Sequence, residues 1–183
     1  MQLYRHYVKL LYRHCILDSV YYLGAISHVL DKNNLALKLF KEARELSKSA
    51  ENSKNLIENI NLNIARIYYA KREFIKSIEY YAKIPRSSEN WLDSLLESAW
   101  AFFMIEKANN ALGNIHTLSS PFFKHRFYPE AYILNSLIYL RLCRFESVKN
   151  VILDFNERYK ISVVEMVDFI KNNKEKPKNF VKS

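Results

Sequence analysis

One small residue recurs along this chain in fixed company, and that recurrence limits the fold more than any other feature of the sequence. Leu23-Gly24 is followed by Ala36, Phe40 and Ala43, and the small position returns as Ala65, Ala99 and Ser136. An aromatic stands three residues later in the last three copies, as Tyr68, Phe102 and Tyr139. Twelve residues after each small position come Ala36, Ser77, Ala111 and Val148, and four further on come Phe40, Tyr81, Ile115 and Ile152. Successive copies are 41, 34 and 37 residues apart. Periods of this length belong to arrays of helical hairpins, in which stacking of neighbours supplies the core that no hairpin can build alone.

Composition agrees with helices. The chain has 183 residues, 49% of them hydrophobic, with two glycines and four prolines. Sheets joined by tight hairpins need more turn residues than that, so an all-α fold is expected. The longest unbroken apolar run, Ala99 to Ile105, is far too short to span a bilayer. The N-terminal stretch MQLYRHYVKLLYRH is basic but has neither the continuous apolar centre nor the small-residue cleavage site of a signal peptide. A cytoplasmic location is the default expectation. Residues 1–15 read like the second helix of a repeat, so an envelope location follows instead if Met1 is not the natural start.

The net charge of +9 suggests nucleic acid until it is located. Residues 1–14 carry three basic side chains and no acid, and residues 171–183 carry five lysines against Glu175. Residues 15–170 hold 20 basic and 18 acidic side chains, close to neutral. The body lacks the basic stripe that tracks phosphates, and nucleic acid is not the expected partner.

Hairpins are expected at 17–30 with 34–49, 54–70 with 73–84, 91–105 with 108–118, and 129–142 with 145–158. Pro85 ends the second and Pro129 opens the fourth. Asn90 with Asp93 three residues on has the form of a capping pair. Residues 1–15 and about 162–172 are expected as separate flanking helices. The Lys-rich stretch 174–183 is expected as a disordered basic tail. The seven extra residues between the first and second copies equal about two helical turns, which one added turn on each of two adjoining helices would absorb.

These residues resemble the tetratricopeptide repeat, of bacterial type. Leu23, Gly24, Ala36, Phe40 and Ala43 match its pattern best; Ala65, Tyr68 and Tyr81 carry the second copy; Ala99, Phe102 and Ala111 carry the third. The fourth is degenerate, with Val148 and Ile152 at the last positions. The stretch from His116-Thr117-Leu118 to Pro129-Glu130-Ala131 is also similar to repeat proteins of bacterial envelope or motility assemblies. The resemblance implies a single right-handed superhelical array over 1–173, with repeats at about 17–50, 58–90, 91–121 and 129–160. It also implies a concave face lined by the first helix of each hairpin.

Carried onto this sequence, that face holds Tyr21, His28, Asn63, Arg66, Tyr69, Trp100 and Phe103, with Ile133, Leu137 and Leu140 in the fourth hairpin. Aromatics and an arginine among apolar side chains are the usual anchors of a binding surface. The opposing possibility is that the terminal helices cover it, the fourth hairpin first. The family's clamp for chaperone carboxylate tails would need cations where Asp93 and Glu97 stand, and only Asn63 fits it.

Catalysis is not expected. The histidines (His6, His14, His28, His116, His125) form no HExxH and no close ligand pair, and His14 and Cys15 fall on different helix faces. Cys15 and Cys143 stand far apart, outside any CxxC motif. No glycine loop could cradle a phosphate, and no metal or cofactor is expected. The expectation is a non-catalytic scaffold that binds a protein or peptide segment in the groove, within a larger assembly. A helical-repeat RNA binder and a self-associating structural module are the alternatives.

Overall fold

The computed structural model describes residues 2–48, 53–123 and 125–173. Those residues form helices and no strand. The elements are α1 (Gln2–Val29), α2 (Asn33–Ser47), α3 (Lys54–Ala70), α4 (Phe74–Tyr81), α5 (Trp91–Met104), α6 (Ala108–Leu118), a 3-10 turn at Pro121–Phe123, α7 (Pro129–Arg141) and α8 (Phe145–Asn173). The chain divides into two compact units, residues 1–123 and residues 124–183. In the first, α1 packs on α2, α3 on α4 and α5 on α6, with α2 against α3 and α4 against α5. In the second, α7 packs on α8.

Every hairpin turns in the same way. Asp31, Arg72, Glu106 and Cys143 adopt positive φ, at 57°, 61°, 62° and 55°. The amide after each reaches back to a carbonyl in the last turn of the preceding helix: Lys32 to Ser27 at 2.8 Å, and Glu73 to Tyr68, Lys107 to Phe102 and Arg144 to Tyr139 at 2.9 Å. Together with the bonds from Asp31 to His28, Arg72 to Tyr69, Glu106 to Phe103 and Cys143 to Leu140, this is the Schellman arrangement that satisfies orphan carbonyls. Each left-handed residue lies seven positions after the small one, so the corners repeat the spacing of the sequence pattern. The chain places no glycine there and accepts left-handed backbone at L residues.

The small residues sit where two helices meet. Gly24, Ala36, Ala65, Ser77, Ala99 and Ala111 are all buried. A β-carbon on Gly24 would come within 3.1 Å of the Phe40 ring, itself fully buried. Ser77 Oγ donates to the carbonyl of Ala65 at 2.9 Å, so even the polar member of the set is satisfied inside the α3/α4 contact. Around Phe40 the core takes in Leu17, Ile60, Ile64 and Ile67. The extra length between the first two copies lies in the helices. α2 and α3 have 15 and 17 residues, whereas α4 and α5 have 8 and 14.

Three expectations need correction. No separate helix precedes the first hairpin: α1 runs unbroken from Gln2 to Val29, because residues 12–19 contain neither proline nor glycine to stop propagation. The flanking helix at 162–172 is the distal part of α8, a single helix of 29 residues, for the same reason across 157–162. Nor does Asn90 cap α5 through its side chain; its amide donates instead to Asn59 Oδ1 on α3 at 2.6 Å.

The second unit closes on an aromatic cluster, Tyr132, Phe155 and Tyr159, with Phe127 edge-on to Tyr159 at 5.2 Å between ring centroids. Here the repeat pattern loses its packing role. Ile152, the counterpart of Phe40, is 49% exposed. Ile133, Leu137 and Leu140 are also exposed. The expected disordered tail, 174–183, lies outside the described residues.

Candidate functional site

Three helices of the first unit converge on one cavity. Arg66 and Tyr69 are three residues apart on α3, and Glu97 and Trp100 are three apart on α5, a spacing that puts each pair on one helix face. Tyr81, the last residue of α4, closes the space between them. The five side chains line an open cavity of about 300 Å³.

An ion pair forms its polar side. Arg66 Nε donates to Glu97 Oε2 at 2.8 Å and to Oε1 at 3.1 Å, and Arg66 Nη2 donates to Oε1. Tyr81 donates its hydroxyl proton to Glu97 Oε2 at 2.8 Å. One carboxylate thus ties α3 and α4 to α5. The bond to Glu97 holds the Arg66 guanidinium above its ordinary pKa, against the opposing pull of desolvation. Burial pushes the Tyr81 hydroxyl far above the usual tyrosine value, and the Glu97 charge adds to the push. Burial also raises Tyr69.

The Tyr81 shift has a measurable consequence. Below about pH 10 both folded and unfolded chains keep this proton, and the contribution of this group to stability does not vary with pH. Above that, the unfolded chain releases the proton while the folded one retains it, so stability falls by about 1.4 kcal/mol per pH unit from this group. Denaturant unfolding from pH 9 to 11 should therefore show a shallower alkaline loss in Tyr81→Phe than in the parent. Equal slopes would mean that Tyr81 is not held protonated inside the fold.

The other sequence-selected residues lie around this cavity or apart from it. Phe103 stands edge-on to Trp100, 6.2 Å between centroids, and extends the aromatic wall. Tyr21 and Asn63 form their own contact between α1 and α3, where Asn63 Nδ2 donates to the Tyr21 hydroxyl at 3.3 Å and to the Asn59 carbonyl at 2.9 Å. Burial raises the Tyr21 pKa, and its ring packs on Phe40. His28 belongs to the first corner: its Nδ1 is 2.9 Å from Asn33 Oδ1, and Asn33 Nδ2 donates to Asp31. Arg66, Tyr69 and Trp100 are thus brought together, Tyr21 with Asn63 forms a second pair, and His28 stands with the turn.

Glu97 and Tyr81 were the residues that pattern reading undervalued. In the sequence Tyr81 stands only as a residue of the repeat pattern, and Glu97 only as a mismatch to the carboxylate clamp. The available signal was Glu97 three positions before Trp100, on the α5 face opposite the cation of α3. Among the described residues no group of three or more His, Cys, Asp or Glu side chains could hold a metal ion. No described helix is long and apolar enough to cross a membrane. No protein-family model and no curated protein matches this sequence.

Proposed function

We propose that this chain is a tetratricopeptide-type scaffold, right-handed and superhelical, that binds a protein or peptide segment along the first helices of its hairpins without catalysing a reaction. The observation that carries this reading is the cavity between α3, α4 and α5, where Tyr69 and Trp100 flank the Arg66–Glu97 pair. Half-buried aromatics beside an oriented arginine are the composition of binding hot spots. The repeated corners support the family assignment, because they restate the sequence period in backbone geometry. Arg66, the cation of this cavity, is already matched by Glu97, which favours a polypeptide over a phosphate chain as its occupant. A place in a bacterial multiprotein or envelope assembly fits the same reading.

The test is an affinity pull-down from native lysate at moderate salt, comparing the parent with a Tyr69→Ala/Trp100→Ala double variant whose helicity is verified by circular dichroism. A protein retained by the parent and lost by the variant is the expected result. Equal retention by both would remove the partner from this face.

A further inference from the structure

The cavity between α3, α4 and α5 also indicates the kind of segment it would hold, on the reading that this face is a binding surface. A guanidinium carries five N–H donors. Glu97 takes Arg66 Nε–H and one N–H of Nη2. Among the described residues no other acceptor meets Arg66, so three donors stand unengaged on a side chain that is 41% exposed. The Glu97 carboxylate is filled on both oxygens, by Arg66 and by the Tyr81 hydroxyl. The site therefore offers donors and has no spare acceptor on its one carboxylate.

Its charges cancel. Arg66 and Glu97 neutralise each other. An incoming carboxylate would meet Glu97 while gaining a cation that is already matched. An incoming ammonium or guanidinium would meet Arg66 with no free carboxylate lone pair. An uncharged acceptor meets neither penalty, and Tyr69 and Trp100 supply an aromatic wall beside it. About 300 Å³ is at the small end of ligand cavities, the scale of one large side chain with its flanking peptide units.

We infer that the occupant is an uncharged polypeptide segment that lays one apolar side chain against Tyr69 and Trp100 and accepts hydrogen bonds from Arg66 through a main-chain carbonyl. Binding of this kind involves no net charge change, so its affinity is insensitive to salt.

The probes are three blocked amino acids, N-acetylphenylalaninamide, N-acetyllysinamide and N-acetylaspartic acid α-amide, titrated into the full chain. The readout is the Trp100 indole N–H resonance, distinguished from that of Trp91 with a Trp91→Phe variant. The phenylalanine amide should shift it saturably with a roughly millimolar dissociation constant, as suits a ligand of about fifteen heavy atoms. Its affinity should change less than about twofold between about 50 and about 500 mM salt. The two charged probes should bind at least roughly fivefold more weakly. Glu97→Gln keeps an acceptor for Arg66 but frees its charge, and should strengthen the acidic probe by about tenfold.

A charged probe that binds the parent as well as the phenylalanine amide, or no shift with any probe, overturns the inference. Those results leave the scaffold reading intact if the pull-down partner still depends on Tyr69 and Trp100. If the neutral amide binds as described and the partner is held equally by both proteins, the scaffold reading falls and the site remains.

Discussion

Replacing Ala99 with arginine is expected to lower the melting temperature of the first unit by roughly 10–20 °C. Ala99 is fully buried on α5, and Ala111, twelve residues on, is fully buried on α6, the helix against which α5 packs. Forcing extra heavy atoms into such a contact costs roughly 1–3 kcal/mol by overpacking alone. The guanidinium adds several kcal/mol if it stays inside unpaired, or displaces α6 if it escapes. Domains of this size are stable by only about 5–15 kcal/mol, so the change consumes a large share of the total. Asn109→Arg, at an exposed position on α6, is the control and should stay within about 0.5 kcal/mol of the parent. Thermal unfolding followed at the helical band distinguishes the two. An Ala99→Arg chain that melts with the parent would mean that the small residues do not set the approach of paired helices.

The prediction can be made from the sequence because the small positions are legible there. Gly24 under Phe40 and Ala65 under Ser77 announce close helix contacts by size and spacing alone. The corners are not legible in the same way. Asp31, Arg72, Glu106 and Cys143 share a left-handed backbone, yet no chemistry unites them, since hydrogen bonds to the preceding helix impose the conformation. Helix ends were misjudged at 12–19 and 157–162 because a repeat template asks for a break there, whereas a helix stops only where something stops it. In the site, Arg66, Tyr69 and Trp100 are reached by carrying the concave-face positions of the resembled family onto the repeat. The Arg66–Glu97 pair spans 31 residues and depends on how α3 and α5 face each other, which periodicity within one helix does not contain. Asn90 shows the same limit: a capping spacing is local, and the α3 side chain that outcompetes it is not.

Glu97→Ala is expected to destabilise the first unit by about 2–4 kcal/mol. Two groups lose their partner at once. The Tyr81 residue is only 4% exposed, and its hydroxyl would be left without its acceptor, a loss of roughly 1–3 kcal/mol. Arg66 would lose a bidentate partner, but the Arg66 and Glu97 side chains are 41% and 27% exposed, so solvent screening limits that part to about 1 kcal/mol. The apportioning can be checked with Glu97→Ala/Tyr81→Phe, which deletes the orphaned hydroxyl together with its acceptor. The double variant should be less destabilised than the sum of the singles by about 1–2 kcal/mol, the coupling typical of groups in one network. Urea unfolding of the four proteins supplies the cycle. If Glu97→Ala stays within about 0.5 kcal/mol of the parent, the carboxylate does not join α3, α4 and α5 in solution. The cavity walls would then be held by apolar packing alone, and Arg66 would present a full positive charge to whatever binds there.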